Sequence, residues 1–168
     1  MLVSLRFLLV FLAFAVFLPV IVKAQTKGLD PEKRLSQYKI CFFSKEEGLP
    51  MRNAISILQT GDGYIWFATY NGLVRFDGQQ MSVFNSSTDT SLRKSGYWCL
   101  FEDYDSSLWA GALGGLIHYI NDKWIFYGEE QGIHASMTTG VCRDKNKRLW
   151  IGTTQGLHYL ENDSILDK

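Results

Sequence analysis

The sequence lacks the features that would indicate an enzyme or a nucleic-acid-binding protein. Its 17 basic residues are matched by 17 acidic ones, so no basic surface for nucleic acid is expected. It contains no nucleophile motif, no glycine-rich phosphate loop and no metal-ligand spacing, and we therefore predict no catalytic residue, no metal site and no cofactor. Cys41, Cys99 and Cys142 are an odd number, so they are not a disulfide framework, and their apolar surroundings predict that all three are buried.

Charge is almost missing from the first 24 residues. Arg6 is the only charged residue before the sixteen-residue apolar run Phe7–Val22, and Val22-Lys23-Ala24 offers small residues on both sides of Lys23. A basic start, an apolar middle and a small-residue end are typical of a secretory signal peptide, and the run is shorter than a usual membrane span. We predict a signal peptide at 1–24, a linker at 25–37 and a folded domain at 38–168 outside the cytosol.

The sequence shows no apolar periodicity typical of an α-helix. Instead it contains an internal repeat. A tryptophan followed six residues later by Gly-Leu occurs three times, with the tryptophans 43 and 41 residues apart. The pairs are Trp66 and Gly72, Trp109 and Gly115, and Trp150 and Gly156. Two residues after each tryptophan the side chain is small, and four residues before it stands Asp62, Asp105 or Asn146. We interpret these three polar residues as turn residues, since Asp and Asn bond their own backbone in turns.

The first copy shows the strands of one repeat. Its apolar runs are Ile55–Gln59, Ile65–Thr69, Leu73–Phe76 and Met81–Phe84. Turn formers separate them, including Asn71-Gly72, where both residues tolerate positive φ, and Asp77-Gly78. In a strand, Trp66 and Ala68 share one face, and the small residue indicates space kept for a neighbouring sheet.

These patterns predict an all-β fold, namely a partial β-propeller of about three four-stranded antiparallel blades of ~42 residues after the signal peptide. A linear β-solenoid is the structural alternative, but its units are normally shorter and lack the paired hairpin turns. Three blades do not close a ring. We therefore expect either the N-terminal fragment of a longer protein or a truncated gene product.

Loops on a rigid scaffold commonly carry binding residues. In a propeller these are the hairpins after the tryptophan strands and the linkers between blades. We single out Arg52, Asn53, Tyr70 and Asn71 as ligand-binding candidates, of which Tyr70 and Arg52 best suit an oligosaccharide or a small anionic solute. The same logic names Leu113, Gly114, Thr154, Gln155, Arg93, Lys94 and His134. His118 and His158 occupy different strand positions and are interpreted as ordinary strand residues.

The stretches Asp62–Gly78 and Leu149–Leu157 resemble the two-component regulator propeller repeat, and Glu47-Gly48-Leu49-Pro50 resembles the opening of its first blade. The resemblance covers Tyr38 to about Asp163. The middle copy departs from the pattern, because Ala112 replaces the usual threonine and Ser106-Ser107 replace the Asp-Gly turn.

The resemblance implies the periplasmic sensor region of a membrane-bound histidine kinase, facing the periplasmic side of the inner membrane. A diguanylate cyclase output is the first alternative, and a secreted propeller polysaccharide lyase or hydrolase is the second. Kinase or cyclase activity would then lie in a part that is missing from this chain. The implied partners are an unknown small molecule or oligosaccharide, further blades, a membrane-proximal domain and, in the full-length receptor, a second copy in a homodimer.

Overall fold

The computed structural model describes residues 32–92 and 96–160 and the backbone of 161 and 164–167. The predicted signal peptide at 1–24 and the linker residues 25–31 lie outside the described residues. The chain divides between Cys41 and Phe42 into two compact units. In the described part of the first unit, a single turn of 3₁₀ helix spans Leu35–Gln37. Within the described ranges, no helix has the length and apolar character needed to cross a membrane.

The second unit contains three four-stranded antiparallel sheets, each formed by four consecutive strands in chain order. We call them the first, middle and third blades. The first comprises β1 (Ser56–Gln59), β2 (Ile65–Thr69), β3 (Gly72–Phe76) and β4 (Met81–Phe84). The middle comprises β5 (Tyr97–Glu102), β6 (Leu108–Ala112), β7 (Gly115–Ile120) and β8 (Lys123–Tyr127). The third comprises β9 (Thr138–Arg143), β10 (Leu149–Thr153), β11 (Gly156–Glu161) and β12 (Ser164–Asp167). The predicted partial propeller of three four-stranded blades is confirmed.

The hairpin after each tryptophan strand differs in detail from the prediction. In the first blade the two-residue turn is Tyr70–Asn71, and Gly72 is already the first residue of β3, paired with Thr69. Gly72 has a φ of 138°, whereas Asn71 does not have a positive φ. The Thr69 hydroxyl accepts a hydrogen bond from the Asn71 N–H (3.2 Å) and donates one to the Gly72 carbonyl (2.8 Å). The sequence predicted a turn at Asn71-Gly72. The observed turn is one residue earlier and is stabilised by the Thr69 hydroxyl.

In the first and middle blades glycine is required at this position for a second reason, because the outermost strand passes close to it. A Cβ placed on Gly72 would lie 2.6 Å from the carbonyl oxygen of Phe84 in β4. A Cβ on Gly115 would collide with the equivalent carbonyl of Tyr127 in β8. Since a backbone carbonyl cannot rotate away as a side chain does, any larger residue here would displace the outer strand.

Each blade packs its tryptophan face against the blade that follows. Trp66 is buried with Leu73 against Ile117 and Trp124 of the middle blade. Trp109 is buried in the same way with Leu149 and Ile151 of the third blade. Burial of such aromatic faces supplies a large share of the apolar area removed from water. The two joints between blades are therefore the cores of the molecule.

In the first and middle blades the small residue two positions after the tryptophan creates room for this packing, as predicted. A Cβ on Gly111 would lie 2.6 Å from the carbonyl oxygen of Thr138 in β9 of the third blade and 2.5 Å from Cys99 Sγ. The innermost strand of the third blade thus passes directly over the backbone of β6. Ala68, at the same position in the first blade, is fully buried.

Polar contacts cross both joints from one repeat position, seven residues before the tryptophan. Glu102 at this position accepts hydrogen bonds from the Gly61 N–H of the first blade at 2.8 and 3.0 Å. Arg143 at the same position in the third blade forms a salt bridge with Asp103 of the middle blade, and its Nε lies 2.7 Å from Asp103 Oδ1. Asp103 also accepts a hydrogen bond from the Trp109 indole at 3.1 Å.

The prediction that the three cysteines are buried is wrong for two of them. All three are free, but only Cys99 is half-buried, whereas Cys41 and Cys142 are exposed. Cys142 pairs with Trp150 across the β9–β10 ladder and therefore shares the face on which the third blade carries its tryptophan. No described blade covers that face, which explains the exposure. Burial raises the pKa of the Cys99 thiol to about 11.

Candidate hairpin-end ligand site

The hairpins after the tryptophan strands meet the connectors that lead into the following blades. Leu113 in the middle hairpin forms a β-bridge with Met137 in the connector to β9. The Gly114 N–H donates to the Ser136 carbonyl at 2.9 Å in the same connector. We call this end of the blades the hairpin end. It is where the sequence places its ligand-binding candidates.

Tyr70 contributes an exposed aromatic ring to the hairpin end. It is 51% exposed, and its ring lies edge-on to that of Trp98 in β5, with centroids 6.0 Å apart and planes at 82°. Gly96 allows this approach, since a Cβ there would lie 2.9 Å from the Tyr70 ring. The two rings form an aromatic corner across the first joint. Such a corner can stack on an apolar ligand face or a sugar ring.

Arg52, Asn53 and Asn71 are exposed. The segment that carries Arg52 and Asn53 reaches β1 through Ile55, whose N–H donates to the Ala68 carbonyl near the end of β2 at 2.8 Å. This bond brings the segment to the same end of the first blade as Tyr70. Among the described residues no contact joins Arg52 to Tyr70, so the structure does not bring all the candidates into one cluster. Arg93 and Lys94 lie outside the described residues.

A groove of about 980 Å³ opens beside this end, between β8 and the connector to the third blade. Its lining includes Gly114, His134 and Gln155, three residues named from the sequence, but not Arg52, Asn53, Tyr70 or Asn71. Gln155 is held in place at the rim, where its Nε2 donates to Ser136 Oγ (2.8 Å) and its Oε1 accepts from the Ser136 N–H (2.7 Å). A fixed amide of this kind can orient a polar ligand.

The charge of the groove differs from that of the Arg52 segment. Glu129 and Glu130 contribute carboxylates to the lining, with His134 nearby. An acidic wall repels an anion and accepts hydrogen bonds from hydroxyl groups or cations. A small anionic solute therefore suits the Arg52 side of the hairpin end, whereas a polyhydroxyl ligand suits both the groove and the aromatic corner.

The two strand histidines lie away from the hairpin-end candidates. His118 is stacked on Trp109 with centroids 3.7 Å apart and planes at 4°, and burial lowers its pKa. His158 is buried in β11. In the part of the chain that the structure describes, no three His, Cys, Asp or Glu side chains come together as a metal site.

The polar residues four positions before the tryptophans behave as turn residues in two blades. Asp62 accepts from the Tyr64 N–H at 3.2 Å, and Asp105 accepts from the Ser107 N–H at 3.0 Å. In the third blade Asp144 takes this role instead, since it accepts from the Asn146 and Arg148 N–H groups. The Trp150 indole also donates to Asp144, at 2.9 Å, and this bond is the main cause that lowers the Asp144 pKa.

Sequence reasoning missed Asp103 and Asp144 as partners of the indoles. Both stand six residues before a tryptophan, but Thr60 occupies that position in the first copy, so the column does not look uniform. Trp98 was missed for another reason. It contacts Tyr70 across the joint between two blades, and no local pattern reports such a contact.

Two segments of the chain, residues 48–71 and 132–155, match the two component regulator propeller family. Each begins at the glycine that ends a connector and ends in the hairpin after the tryptophan strand. The equivalent segment of the middle blade carries the departures at Ser106, Ser107 and Ala112, yet it folds in the same way. No curated protein matches the chain.

Several solved structures share the fold. The extracellular domain of a hybrid two component system from B. thetaiotaomicron is similar with a TM-score of 0.61 and 20% identity, over 74% of this chain and 18% of that one. A second such domain from the same organism gives 0.60 and 24%, over 73% and 17%. Virginiamycin B lyase from Staphylococcus aureus gives 0.55 and 13%, over 68% and 40%. The chain thus spans less than a fifth of the length of the two extracellular domains from B. thetaiotaomicron.

Identities below 25% establish a shared fold and no more. The sequence matches fall on the first and third copies of the repeat, and both copies fold as blades joined through their tryptophan faces. Two segments of the chain therefore match the two component regulator propeller repeat, and they lie in the first and third of three consecutive four-stranded blades of a β-propeller fold.

Proposed function

We propose that this chain is the N-terminal part of the ligand-sensing propeller of a membrane-bound two-component sensor. The match to two component regulator propeller repeats carries the proposal. Two further features support it: the similarity in fold to extracellular domains of two component systems and the export signal predicted at 1–24. Together they favour a position outside the cytosol, on the periplasmic side of the inner membrane.

The output that best fits this arrangement is a histidine kinase beyond the propeller, and a diguanylate cyclase is the alternative. A secreted lyase has less support. The similarity to virginiamycin B lyase rests on 13% identity, and the histidines of this chain are placed separately, with His118 stacked on a tryptophan and His158 buried in a strand. The reading frame beyond Lys168 tests the output. Further repeats, a membrane segment and a kinase domain support the proposal, and an immediate stop codon contradicts it.

Export is tested with reporter fusions. The chain fused to alkaline phosphatase is expected to give activity in bacterial cells, since that enzyme needs an oxidising compartment for its disulfides. The matching fusion to β-galactosidase is expected to be inactive. Removal of residues 1–24 should reverse both results. Equal phosphatase activity with and without these residues contradicts the predicted signal peptide.

The ligand site that we propose is the hairpin end, with the Tyr70–Trp98 corner as its stacking surface and an oligosaccharide as its ligand. The corner supports this proposal because Tyr70 presents half of its surface to solvent while Trp98 holds its ring. Arg52 and Asn53 on the neighbouring segment would add hydrogen bonds, and Asn71 adjoins Tyr70 in the turn.

Isothermal titration of the chain against a panel of bacterial and plant oligosaccharides tests this site. Tyr70→Ala is expected to weaken binding at least tenfold, since loss of one stacking ring costs on the order of 1–3 kcal/mol, while the β-sheet circular dichroism stays unchanged. Tyr104→Ala is the matched control, because Tyr104 is 80% exposed in the β5–β6 turn, away from the hairpins. Equal affinities of the Tyr70→Ala and Tyr104→Ala variants contradict a ligand at the corner.

A further inference from the structure

One position of the repeat carries a different kind of side chain in each copy. Nine residues after the tryptophan stand Arg75, His118 and Tyr159. All three pack on the tryptophan of their own copy. Arg75 Cζ lies 5.7 Å from the ring, and the ring centroids of His118 and Tyr159 lie 3.7 Å and 5.2 Å from theirs. Of these side chains, only the histidine ordinarily changes its charge between pH 5 and pH 8.

His118 lies inside the second joint, which is the joint between the middle and third blades. It pairs with Trp109 across the β6–β7 ladder, so it shares the face that packs on Leu149 and Ile151. In the part of the chain that the structure describes, its Nε2 atom is buried and has no hydrogen-bond partner. A protonated ring carries an N–H on both nitrogens. Protonation would therefore bury a donor without an acceptor, which costs free energy.

The charged and titratable groups around His118 come from both blades. Among the described residues they are Asp103 and Asp105 in the β5–β6 turn, Tyr127 in β8, Arg143 in β9 and His158 in β11. The two carboxylates are already engaged. Asp103 accepts from Arg143 and from the Trp109 indole, and Asp105 accepts from an N–H of its own turn. A charged His118 would thus meet carboxylates that already have donors.

The two joints differ in the charges that the same pair of repeat positions brings to them. One position is nine residues after a tryptophan, and the other is seven residues before the next tryptophan. At the first joint these positions hold Arg75 and Glu102, which have opposite charges. At the second joint they hold His118 and Arg143. Protonation of the histidine would make the second pair two cations.

The direction of the pKa shift agrees with this geometry. Burial is the main cause that holds the pKa of His118 below its ordinary value; Asp105 and Asp103 oppose it, and Arg143 lowers the pKa further. The neutral ring therefore adds stability that is fully present above the unfolded pKa of about 6.5. This stability is lost as the pH falls from there through the lower folded value. Asp103 loses its contribution only below its unfolded pKa of about 3.9, so the two effects are separate.

We propose that His118 makes the second joint sensitive to acid. Protonation of its ring places a second cation beside Arg143 inside the joint and loosens the contact between the middle and third blades. The first joint, with Arg75 and Glu102 at these positions, lacks this switch. Gly114 of the middle blade and Gln155 of the third both line the groove at the hairpin end, so the shape of the groove depends on the same joint.

Urea denaturation at pH 7.5 and pH 5.5, followed by tryptophan fluorescence, tests the proposal. For the unaltered chain we expect the equilibrium constant of unfolding to rise by at least about threefold on acidification. His118→Tyr should remove most of this rise, since Tyr159 shows that a tyrosine packs on the tryptophan at this position. His134→Gln is the matched control in an exposed connector and should keep the rise. An equal rise in the His118→Tyr variant and the unaltered chain overturns the proposal.

The other histidine at this joint needs its own variant. His158 pairs with Ile151 across the β10–β11 ladder and so faces the middle blade, and Asp167 stands opposite it in β12. Ile117 occupies the equivalent position of the middle copy, so His158→Ile is the conservative change. This variant should keep the rise. If the rise disappears in His158→Ile and persists in His118→Tyr, the acid sensitivity belongs to His158 and the proposal is wrong.

A titration of the histidine ring protons by NMR decides the question if His118→Tyr does not fold. In the unaltered chain, the midpoint of His118 should lie below the ordinary value of about 6.5. Arg143→Gln should raise this midpoint, because it removes the cation that opposes protonation, and should leave the midpoint of His134 unchanged. A His118 midpoint at or above the ordinary value, or one that Arg143→Gln does not move, overturns the proposal.

Discussion

The middle and third blades have the same strand pattern but different surroundings. Leu116 and Leu157 each follow the repeated glycine, yet Leu116 is 1% exposed and Leu157 is 45% exposed. All five residues of β6 are buried, whereas Trp150 and Gly152 in β10 are only half-buried. The middle blade is covered by a neighbour on each face, and no described blade covers the tryptophan face of the third. A repeat thus encodes its own strands, while its neighbours provide much of its burial.

The largest expected difference concerns the small residue after the tryptophan. Gly111→Val should destabilise the chain by about 3 kcal/mol or more, since its Cβ would meet a carbonyl of the third blade and overpacking against backbone is not easily relieved. Gly152→Val should cost less than about 1 kcal/mol, because the nearest atom to its Cβ would be 3.6 Å away. Urea denaturation followed by tryptophan fluorescence measures both. Equal losses would mean that the two faces are equally covered.

The leucines after the repeated glycine give the next largest difference. Leu116→Ala should cost about 2–5 kcal/mol, as is usual when a buried leucine is truncated. Leu157→Ala should cost less than about 1 kcal/mol, because almost half of its surface already faces solvent. The same denaturation experiment applies. A large cost at Leu157 would show that something covers this face in solution, which analytical ultracentrifugation would identify as self-association.

The salt bridge at the second joint should make this joint sensitive to acid. Burial raises the pKa of Asp103, but hydrogen bonds from Arg143 and from the Tyr104 N–H outweigh it and leave the pKa below its usual value. A depressed pKa in the folded state adds stability above the unfolded pKa of about 3.9, and this stability disappears as the pH falls through the lower folded value.

We therefore expect Asp103→Asn to cost about 1–3 kcal/mol at neutral pH and to lose less stability on acidification than the unaltered chain. Asp144→Asn is the matched variant in the third blade. It should cost less, because the donors described for Asp144 come from its own blade. Denaturation between pH 7 and pH 3 checks both variants. A parallel loss in the Asp103→Asn variant and the unaltered chain would exclude Asp103 as the titrating group.

The smallest expected effect lies in a turn where the two blades should not differ. Ser106 and Lys147 both stand three residues before a tryptophan and adopt φ of 63° and 65°, a conformation that is strained for residues with a Cβ. Ser106→Gly and Lys147→Gly should each stabilise the chain by about 0.5–1 kcal/mol. Melting temperatures measure the gain. A gain in only one blade would extend the difference between them to the solvent-facing turns.

The strands were predictable because their causes are local. The boundaries of β2 and β4 agree with the runs Ile65–Thr69 and Met81–Phe84, since hairpin chemistry and alternation both lie within a few residues of sequence. The joints were not predictable in the same way. Glu102 and Arg143 occupy one repeat position but carry opposite charges, so alignment of the copies conceals that both cross a joint.

The same distinction applies to the candidate site: its local features could be predicted, whereas its contacts between blades could not. Exposure of Tyr70 follows from its place in a hairpin, and the sequence predicts it. Its partner Trp98 and the groove beside Gln155 depend on how one blade meets the next, which composition and spacing do not report. The exposed Cys142 has the same origin, because its burial depends on a blade that would have to cover the third.

Because Glu102 and Arg143 carry opposite charges, the contacts at the joints depend on which repeats are neighbours. If recombination between repeats deleted the middle copy, Arg143 would face the turn around Gly61 of the first blade. There, in place of the Asp103 carboxylate, it would find Thr60 and a backbone N–H that now donates to Glu102. The Arg143 guanidinium and the Gly61 N–H, both donors, would meet at the new joint without the Glu102 carboxylate that now accepts from Gly61. A chain shortened in this way would therefore lose both of the polar contacts that now cross its joints.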